Sequence, residues 1–408
     1  MLRQYSIAKN SLVLAALLAG AAIPVSTALQ NLGAALLILA FILTRPKQDE
    51  LKNTCKQPFA AVGILIGISL ILGMVWTSAD FTEALSFFWK MRAYYIIPIL
   101  LIIFSLKSTR NYTLLGFGVM SLVTVMISVL SAMFDYPVFK GIRGDWFIFK
   151  THTYHNFYIA LTVAGLISIM LTQPMSMVKK AVLAGFGILA GFDILFLVTG
   201  RTGQIAFLSM IALVLLMWNW RRGLALLALM TLLLVFVLPR YSASFDDGVS
   251  SALADLKAYS EGNANTPVGM RLAWHEGSMK LIMESPLLGH GTGSFKNEYQ
   301  KLSSTQTHAV SSENPHNDYL WLSVELGIPG GLLLLGILFA AIWQGRDLQA
   351  PWKWTLYALL LGMGISTLAN SFFTDNTTGL AFVVLSCALL NGPKRKKFKH
   401  DQHYHCNL

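Results

Sequence analysis

The chain has 408 residues, of which 55% are hydrophobic and only 12% charged, with a mean hydropathy of +0.57 and a formal net charge of +11. This composition excludes an ordinary soluble globular domain and indicates a polytopic membrane protein. The basic residues lie mostly in short connectors between apolar segments, not on one soluble face. We therefore expect no nucleic-acid partner.

Twelve apolar runs approach the roughly 20 residues that a helix needs to cross the hydrocarbon core. They lie at 8–23, 28–44, 59–76, 86–106, 112–133, 156–172, 181–199, 203–219, 222–239, 319–343, 353–372 and 378–391. The predicted fold is an all-α polytopic membrane protein with about twelve transmembrane helices and one long, partly helical periplasmic loop. Arg3 and Lys9 before the first run could belong to a secretory signal, but we expect an uncleaved first span because apolar segments follow at once.

Lysine and arginine in the short connectors predict the orientation, since cytoplasmic loops carry the excess of positive charge. Both termini are expected in the cytoplasm and the long loop outside. The predicted division is transmembrane helices 1–9 over 1–239, a periplasmic loop with amphipathic helices over 240–318, transmembrane helices 10–12 over 319–391 and a basic cytoplasmic tail over 392–408. Cys55, Cys387 and Cys406 all lie outside the long loop, so we predict no disulfide there.

Within the loop, a helix is predicted from 270 to 285, where Leu272, Met279, Ile282 and Met283 recur at helical spacing. Arg271, His275 and Ser278 share the opposite face. We expect that polar stripe to face away from the packed side of the helix.

Three residues of the outer side are candidates for chemistry. Arg201 lies in Thr-Gly-Arg-Thr-Gly at a span end, where a guanidinium needs a partner or an aqueous cavity. Arg271 stands at the start of the loop helix, where the helix dipole favours anions and a planar guanidinium matches phosphate oxygens. His316 precedes the tenth run, and an imidazole can accept a proton from an attacking hydroxyl. The simpler alternatives are an arginine that binds lipid headgroups, a solvated helix-face arginine and an ordinary loop histidine.

Four further residues are candidates for supporting roles. Lys90 and Arg92 could add positive charge beneath an anionic headgroup, and Asn317 adjoins His316. Asp375 could support His316 or bind a sugar. No metal site is predicted, because the outer connectors lack an Asp-x-Asp pair and the His152-x-x-His155 spacing has no third ligand. The glycine-rich segment 289–293 lacks the lysine of a phosphate-binding loop and is predicted to be a turn.

Four sequence segments resemble the O-antigen ligases, a family of Gram-negative membrane enzymes related to the O-antigen polymerases. They are Thr-Gly-Arg-Thr-Gly (199–203), Gly-Met-Arg-Leu-Ala-Trp (269–274), Ser-Pro-Leu-Leu-Gly-His-Gly (285–291) and Pro-His-Asn-Asp-Tyr-Leu (315–320). The arrangement of apolar runs is similar throughout, but these motifs fall only between about 199 and 320.

The resemblance implies an activity that the composition does not reveal. An enzyme of this family transfers a finished O-antigen glycan from undecaprenyl pyrophosphate to a sugar hydroxyl of lipid A-core, with inversion, at the periplasmic face of the inner membrane. Arg201 and Arg271 would bind the pyrophosphate and His316 would be the general base. The resemblance implies no metal or other cofactor, and no stable protein partner is expected beyond membrane lipids and the two substrates.

Three alternatives remain. An O-antigen polymerase would use the same donor with a lipid-linked acceptor, and a protein O-glycan transferase would use a protein acceptor. A transporter of polysaccharide or lipid would instead be expected to show paired, broken helices from internal repeats, and we see no such pairing.

Overall fold

The computed structural model describes residues 2–44, 48–236, 243–304 and 311–395, and every regular element in those ranges is helical. The first eight α-helices are α1 (Leu2–Ala22), α2 (Thr27–Thr44), α3 (Gln48–Cys55), α4 (Pro58–Gly73), α5 (Phe81–Lys90), α6 (Arg92–Tyr95), α7 (Ile97–Ser105) and α8 (Lys107–Met133). Next come α9 (His152–Thr172), α10 (Met177–Phe192), a π-helix (Asp193–Leu197), α11 (Arg201–Trp218) and α12 (Trp220–Phe236). The loop helices are α13 (Ala243–Ser260), α14 (Pro267–Glu284) and α15 (Phe295–Ser304), and the last four are α16 (Asp318–Leu326), α17 (Ile328–Gly345), α18 (Trp352–Ser366) and α19 (Asn376–Leu390). The all-α prediction is confirmed.

Several helices are long and apolar enough to cross a bilayer, so the chain is a multi-pass membrane protein. In the described ranges five qualify, or six if α3 and α4, which meet at a bend of 82°, form one span. The five are Lys107–Met133, His152–Thr172, Met177–Leu197, Arg201–Trp218 and Ile328–Gly345. Shorter apolar helices occur at Ser11–Ala22, Thr27–Leu39 and Asn376–Leu390. The count of twelve spans and the four-part division of the chain remain predictions.

Two of the predicted apolar runs are broken helices. The run 86–106 divides into α5, α6 and α7, with breaks at Met91 and Ile96, and Pro98, which has no backbone N–H, stands in the first turn of α7. The run 319–343 divides into α16 and α17 at Gly327, whose φ is +72°. Hydropathy alone does not detect these breaks, because both halves of each run are apolar.

The core is centred on α19, in which every residue from Thr377 to Leu390 is buried. It contacts α2, α7, α8 and α18. Asp375 caps its N-terminus by accepting from the N–H groups of Thr377 and Thr378 at 2.7 and 3.3 Å. Elsewhere α1 packs closely along α8, because the small residues Gly20 and Gly116 bring each backbone against the other.

The loop is attached to the helical bundle by a turn over 285–294, as predicted for its glycine-rich part. Gly289, Gly291 and Gly293 have φ values of +64°, +93° and +82°. Thr292 donates from its hydroxyl to the Leu70 carbonyl at 2.6 Å. Glu325, a fully buried carboxylate of α16, accepts from the backbone N–H groups of residues 293–295 and from the Trp321 indole. This turn therefore holds the C-terminal end of α14 against α16.

The packing face predicted for the loop helix is partly wrong. Ile282 is buried as predicted, but Met279 and Met283 are 50% and 74% exposed, and Ser278 of the polar stripe is buried beside Trp274. The polar stripe with Arg271 and His275 turns partly inward, since α14 packs on α16 through the segment that precedes α16. Residues 237–239 of the predicted ninth span, 240–242 and 305–310 of the predicted loop and 396–408 of the predicted tail lie outside the described residues.

Candidate functional site

Arg201 is the first residue of α11 and follows a sharp turn. Gly200 has a φ of +136°, and its α-carbon faces His152 and Asn156 so closely that an added side-chain carbon would lie 3.2 and 3.3 Å from their atoms. The turn therefore requires glycine. It separates the π-helix from α11 and leaves the Arg201 side chain exposed.

Arg271 is the fifth residue of α14, just past its first turn. The helix begins with Pro267, and Thr266 caps it by accepting from the Gly269 N–H at 3.1 Å. The Arg271 guanidinium is half-buried and donates to the Pro267 carbonyl at 3.1 Å. Among the described residues its Nε is buried without a hydrogen-bond partner. One N–H of this cation thus remains available for an acceptor.

Arg201 and Arg271 interact electrostatically. Burial lowers the pKa of Arg271, and the charge of Arg201 lowers that pKa further. An arginine nevertheless stays protonated at neutral pH, because its ordinary pKa is above about 12. The two like charges repel each other, and an anion between them would relieve that repulsion.

His316 has a left-handed backbone, with φ of +51°, directly before α16. Its N–H donates to the Asn314 side-chain carbonyl at 3.0 Å, and its ring stacks on the Trp274 indole with centroids 5.0 Å apart. Burial lowers the pKa of His316, and the charges of Arg271 and His275 lower that pKa further. The imidazole is therefore neutral at neutral pH and available to accept a proton.

His275 is the site residue that the sequence placed on the wrong side of α14. Its ring forms a hydrogen bond with the Pro315 carbonyl that raises its pKa, but burial lowers the pKa more and Arg271 lowers it as well. Its Nε2 is buried and, within the described ranges, has no hydrogen-bond partner. His275 thus joins α14 to the peptide that presents His316.

The segment between α18 and α19 connects the arginine side of the site to the histidine side. Asn370 donates to the Thr202 hydroxyl at 2.8 Å, next to Arg201. Ser371 donates to the Asn314 side chain at 3.3 Å, near His316. Asp318, fully buried at the start of α16, accepts from the Thr367 and Thr374 hydroxyls at 2.7 and 2.6 Å. The start of α11, the start of α16 with the segment before it, and the segment between α18 and α19 are thereby held together.

Asn317 has a structural role next to His316. It caps α16 by accepting from the N–H groups of Tyr319 and Leu320 at 3.1 and 3.3 Å. This cap orients the peptide that carries His316 relative to the helix.

The other predicted supporting residues lie in different surroundings. Lys90 sits over the Trp321 ring, 5.3 Å from its centroid. Arg92 donates to the side chains of Asn31 and Asn376, both at 2.6 Å, and so links α2, α6 and α19. The structure gives Asp375 the capping role on α19 described above, and its predicted role at His316 remains untested.

A buried cation that the sequence did not single out lies near Asp375. Lys150 is 5% exposed and donates to the Thr27 hydroxyl at 2.9 Å. Burial lowers its pKa to about 8, although Asp375 acts in the opposite direction. Nothing in the local sequence indicates that Lys150 is buried, because its partners come from α2 and the start of α19.

Comparison with known proteins supports the motif resemblance. Residues 184–335 match the model of a protein family described as O-antigen ligase, and this span contains Arg201, Arg271 and His316. The resemblance is therefore confirmed over that part of the chain. The matched part of the chain is thus similar to membrane proteins of O-antigen biosynthesis.

A protein of Haemophilus influenzae described only as uncharacterized is similar over a shorter stretch. It is 27% identical over 128 residues, which cover 30% of this chain and 32% of that protein. The chain thus spans about a third of the length of this curated relative. The description of that relative names no activity that could be compared with this chain.

Proposed function

We propose that this protein transfers an O-antigen glycan from undecaprenyl pyrophosphate to a sugar hydroxyl of lipid A-core at the periplasmic face of the inner membrane. The observation that carries the proposal is the grouping of two electrostatically coupled arginines with a neutral histidine at the outer end of the bundle. The family match over 184–335 supports the same reaction class.

In the proposed reaction, Arg201 and Arg271 bind the donor pyrophosphate. Cleavage of the bond between the anomeric carbon and the phosphate oxygen builds negative charge on the departing lipid pyrophosphate. Fixed guanidinium groups in a partly desolvated site stabilise that charge more strongly than water does. The unpartnered Nε of Arg271 is a donor suited to a phosphate oxygen.

His316 accepts the proton of the acceptor hydroxyl as that oxygen attacks the anomeric carbon from the opposite face. One C–O bond forms, one C–O bond breaks and the configuration inverts. Neutral His316 has a free lone pair for this step, and Trp274 and Asn314 fix its ring and backbone. The proton leaves His316 to water after the lipid pyrophosphate departs.

A polymerase would use the same donor geometry but elongate a lipid-linked glycan. The two functions differ in what accumulates when the gene is deleted. A ligase deletion leaves bare lipid A-core and accumulated lipid-linked polymer, and plasmid-borne protein restores the O-antigen ladder. A core capped by a single repeat unit would instead identify a polymerase, and unchanged lipopolysaccharide would contradict both.

A further inference from the structure

The connector between α8 and α9, residues 134–151, brings an acidic residue against the turn before Arg201. Asp145, 8% exposed, accepts from the Thr199 N–H at 2.9 Å through Oδ1 and from the Thr199 hydroxyl at 2.6 Å through Oδ2. His152 Nδ1 lies 3.2 Å from the same Oδ2. A carboxylate with this many partners is held in one orientation.

Asn156 of α9 holds the other side of the same turn. Its side-chain amide donates to the Val198 and Thr199 carbonyls at 3.3 and 3.4 Å. Thr199 is therefore bound at its N–H and hydroxyl by Asp145 and at its carbonyl by Asn156. Two residues later, the chain begins α11 with Arg201.

Asp145 is itself anchored to the bundle. The neighbouring Trp146 donates its N–H to the Leu197 carbonyl at 3.1 Å, and its own carbonyl accepts from the Ser128 hydroxyl at 2.8 Å. Ser128 also bonds the buried carboxylate of Asp193 at 2.5 Å, and His155 Nε2 lies 2.9 Å from that carboxylate. The connector is thus attached to the π-helix that ends just before the turn, a kind of helix often found at functional sites.

We propose that Asp145 is a positioning residue for Arg201: by holding both polar groups of Thr199, it fixes the turn that aims the guanidinium at the donor pyrophosphate. The inference rests on the proposed function, because it assigns Arg201 to the pyrophosphate. Asp145 acts on Arg201 through Thr199 and the backbone of 199–201, and through His152, which lies against Gly200. A small shift of a binding group is enough to weaken a directional phosphate contact.

The test is binding of farnesyl pyrophosphate by the full-length protein in detergent, with farnesol as the probe that lacks phosphate. The variants are Asp145→Ala, Asp145→Asn, Thr199→Val, Arg201→Ala and the double variant Asp145→Ala with Arg201→Ala. Asp135→Asn is the matched control, since Asp135 lies in the same connector, is exposed and forms its ion pair with exposed Arg143, and asparagine tolerates the positive φ of +48° at this position. If Asp145→Ala fails to fold, the milder Asp145→Asn and Thr199→Val carry the test.

Asp145→Ala is expected to weaken farnesyl pyrophosphate binding by about tenfold while leaving farnesol binding unchanged. Asp145→Asn should lose less affinity for farnesyl pyrophosphate, because its amide oxygen can still accept a hydrogen bond from Thr199. The double variant should bind no more weakly than Arg201→Ala, because Asp145 acts through that side chain. A general loss of folding would not produce this non-additivity.

Two results would overturn the inference alone. In one, the wild type binds farnesyl pyrophosphate through Arg201 but the Asp145 and Thr199 variants bind equally well. In the other, the double variant loses binding free energy for farnesyl pyrophosphate equal to the sum of the losses from Asp145→Ala and Arg201→Ala. If the wild type binds farnesyl pyrophosphate no better than farnesol, the proposed function itself fails and the inference fails with it.

Discussion

His316 can act as a base only while its imidazole is neutral, so its pKa sets the acid limit of the proposed reaction. An ordinary histidine titrates near about 6.5. Burial and the charges of Arg271 and His275 lower the pKa of His316. Protonation as the pH falls through this lowered pKa removes the base.

The first prediction concerns this acid limit. Transfer rates at saturating donor and acceptor should stay constant from neutral pH to below about 6.5 and fall only at lower pH. His275→Gln removes one group that lowers the pKa of His316, so it should move the acid limb to higher pH. An acid limb above 6.5 in the wild type would contradict the assignment of His316 as a base with a lowered pKa.

The second prediction concerns the Arg201 side chain. Arg201→Lys keeps the positive charge but loses the planar two-point contact with phosphate, so kcat/KM should fall by roughly tenfold to a hundredfold. Arg221→Lys, at an exposed arginine in the first turn of α12, is the control and should transfer at the wild-type rate. Near-normal transfer by Arg201→Lys would argue against a pyrophosphate clamp.

The sequence predicts the three central residues but not the groups that hold them. Arg201, Arg271 and His316 stand out because a cation at a span end, a cation at a helix start and a histidine before a span each have a local signature. Asp145 and Asn370 have none, because they bond residues 54 and 168 positions away. Such partners follow from tertiary folding.

At the scale of elements, the docking of α14 decides whether the loop helps to form the site. Hydrophobic spacing predicted only part of the packing face, since Ile282 is buried but Met279 and Met283 stay exposed and Trp274 packs inward. The stripe with Arg271 and His275 faces the candidate site, and functional sites are where polar residues can be buried against the usual pattern. The turn over 285–294 and its acceptor Glu325 fix this arrangement.

The third prediction follows from the buried Glu325 carboxylate. Glu325→Ala leaves three backbone N–H groups and the Trp321 indole without their acceptor, which should cost about 3 kcal/mol of stability or more. The unfolding midpoint in detergent should drop by several degrees, with a smaller drop for Glu325→Gln. Glu261→Ala removes an exposed loop carboxylate and should leave the midpoint unchanged. Equal midpoints for Glu325→Ala and the wild type would contradict the role given to Glu325 in attaching the loop.

At the scale of the whole molecule, the sequence predicts a helical membrane protein because its apolar runs are long and contain few charged residues. The breaks at Met91, Ile96 and Gly327 are not predicted, because the hydropathy of a run does not depend on where the helix bends. Irregular backbone of this kind is tolerated at membrane depth only where it is buried in protein or lines a water-filled cavity.

The fourth prediction concerns topology. In a variant with Cys55, Cys387 and Cys406 replaced by alanine, a cysteine introduced at exposed Ser260 of the loop should react with a membrane-impermeant maleimide in intact cells. A cysteine at exposed Lys52 should react only after the inner membrane is permeabilised, because positive connectors remain in the cytoplasm. The reverse labelling pattern would place the candidate site on the wrong side for a periplasmic reaction.

The central claim is that His316 deprotonates the acceptor while the two arginines hold the donor. It is tested most directly by transfer of lipid-linked O-antigen to lipid A-core in vesicles that contain purified protein, with His403→Ala in the tail as the control. We predict that His316→Ala abolishes transfer yet binds farnesyl pyrophosphate as tightly as the wild type, since the base does not contact the pyrophosphate. Transfer by His316→Ala at a rate near that of the wild type would contradict the account.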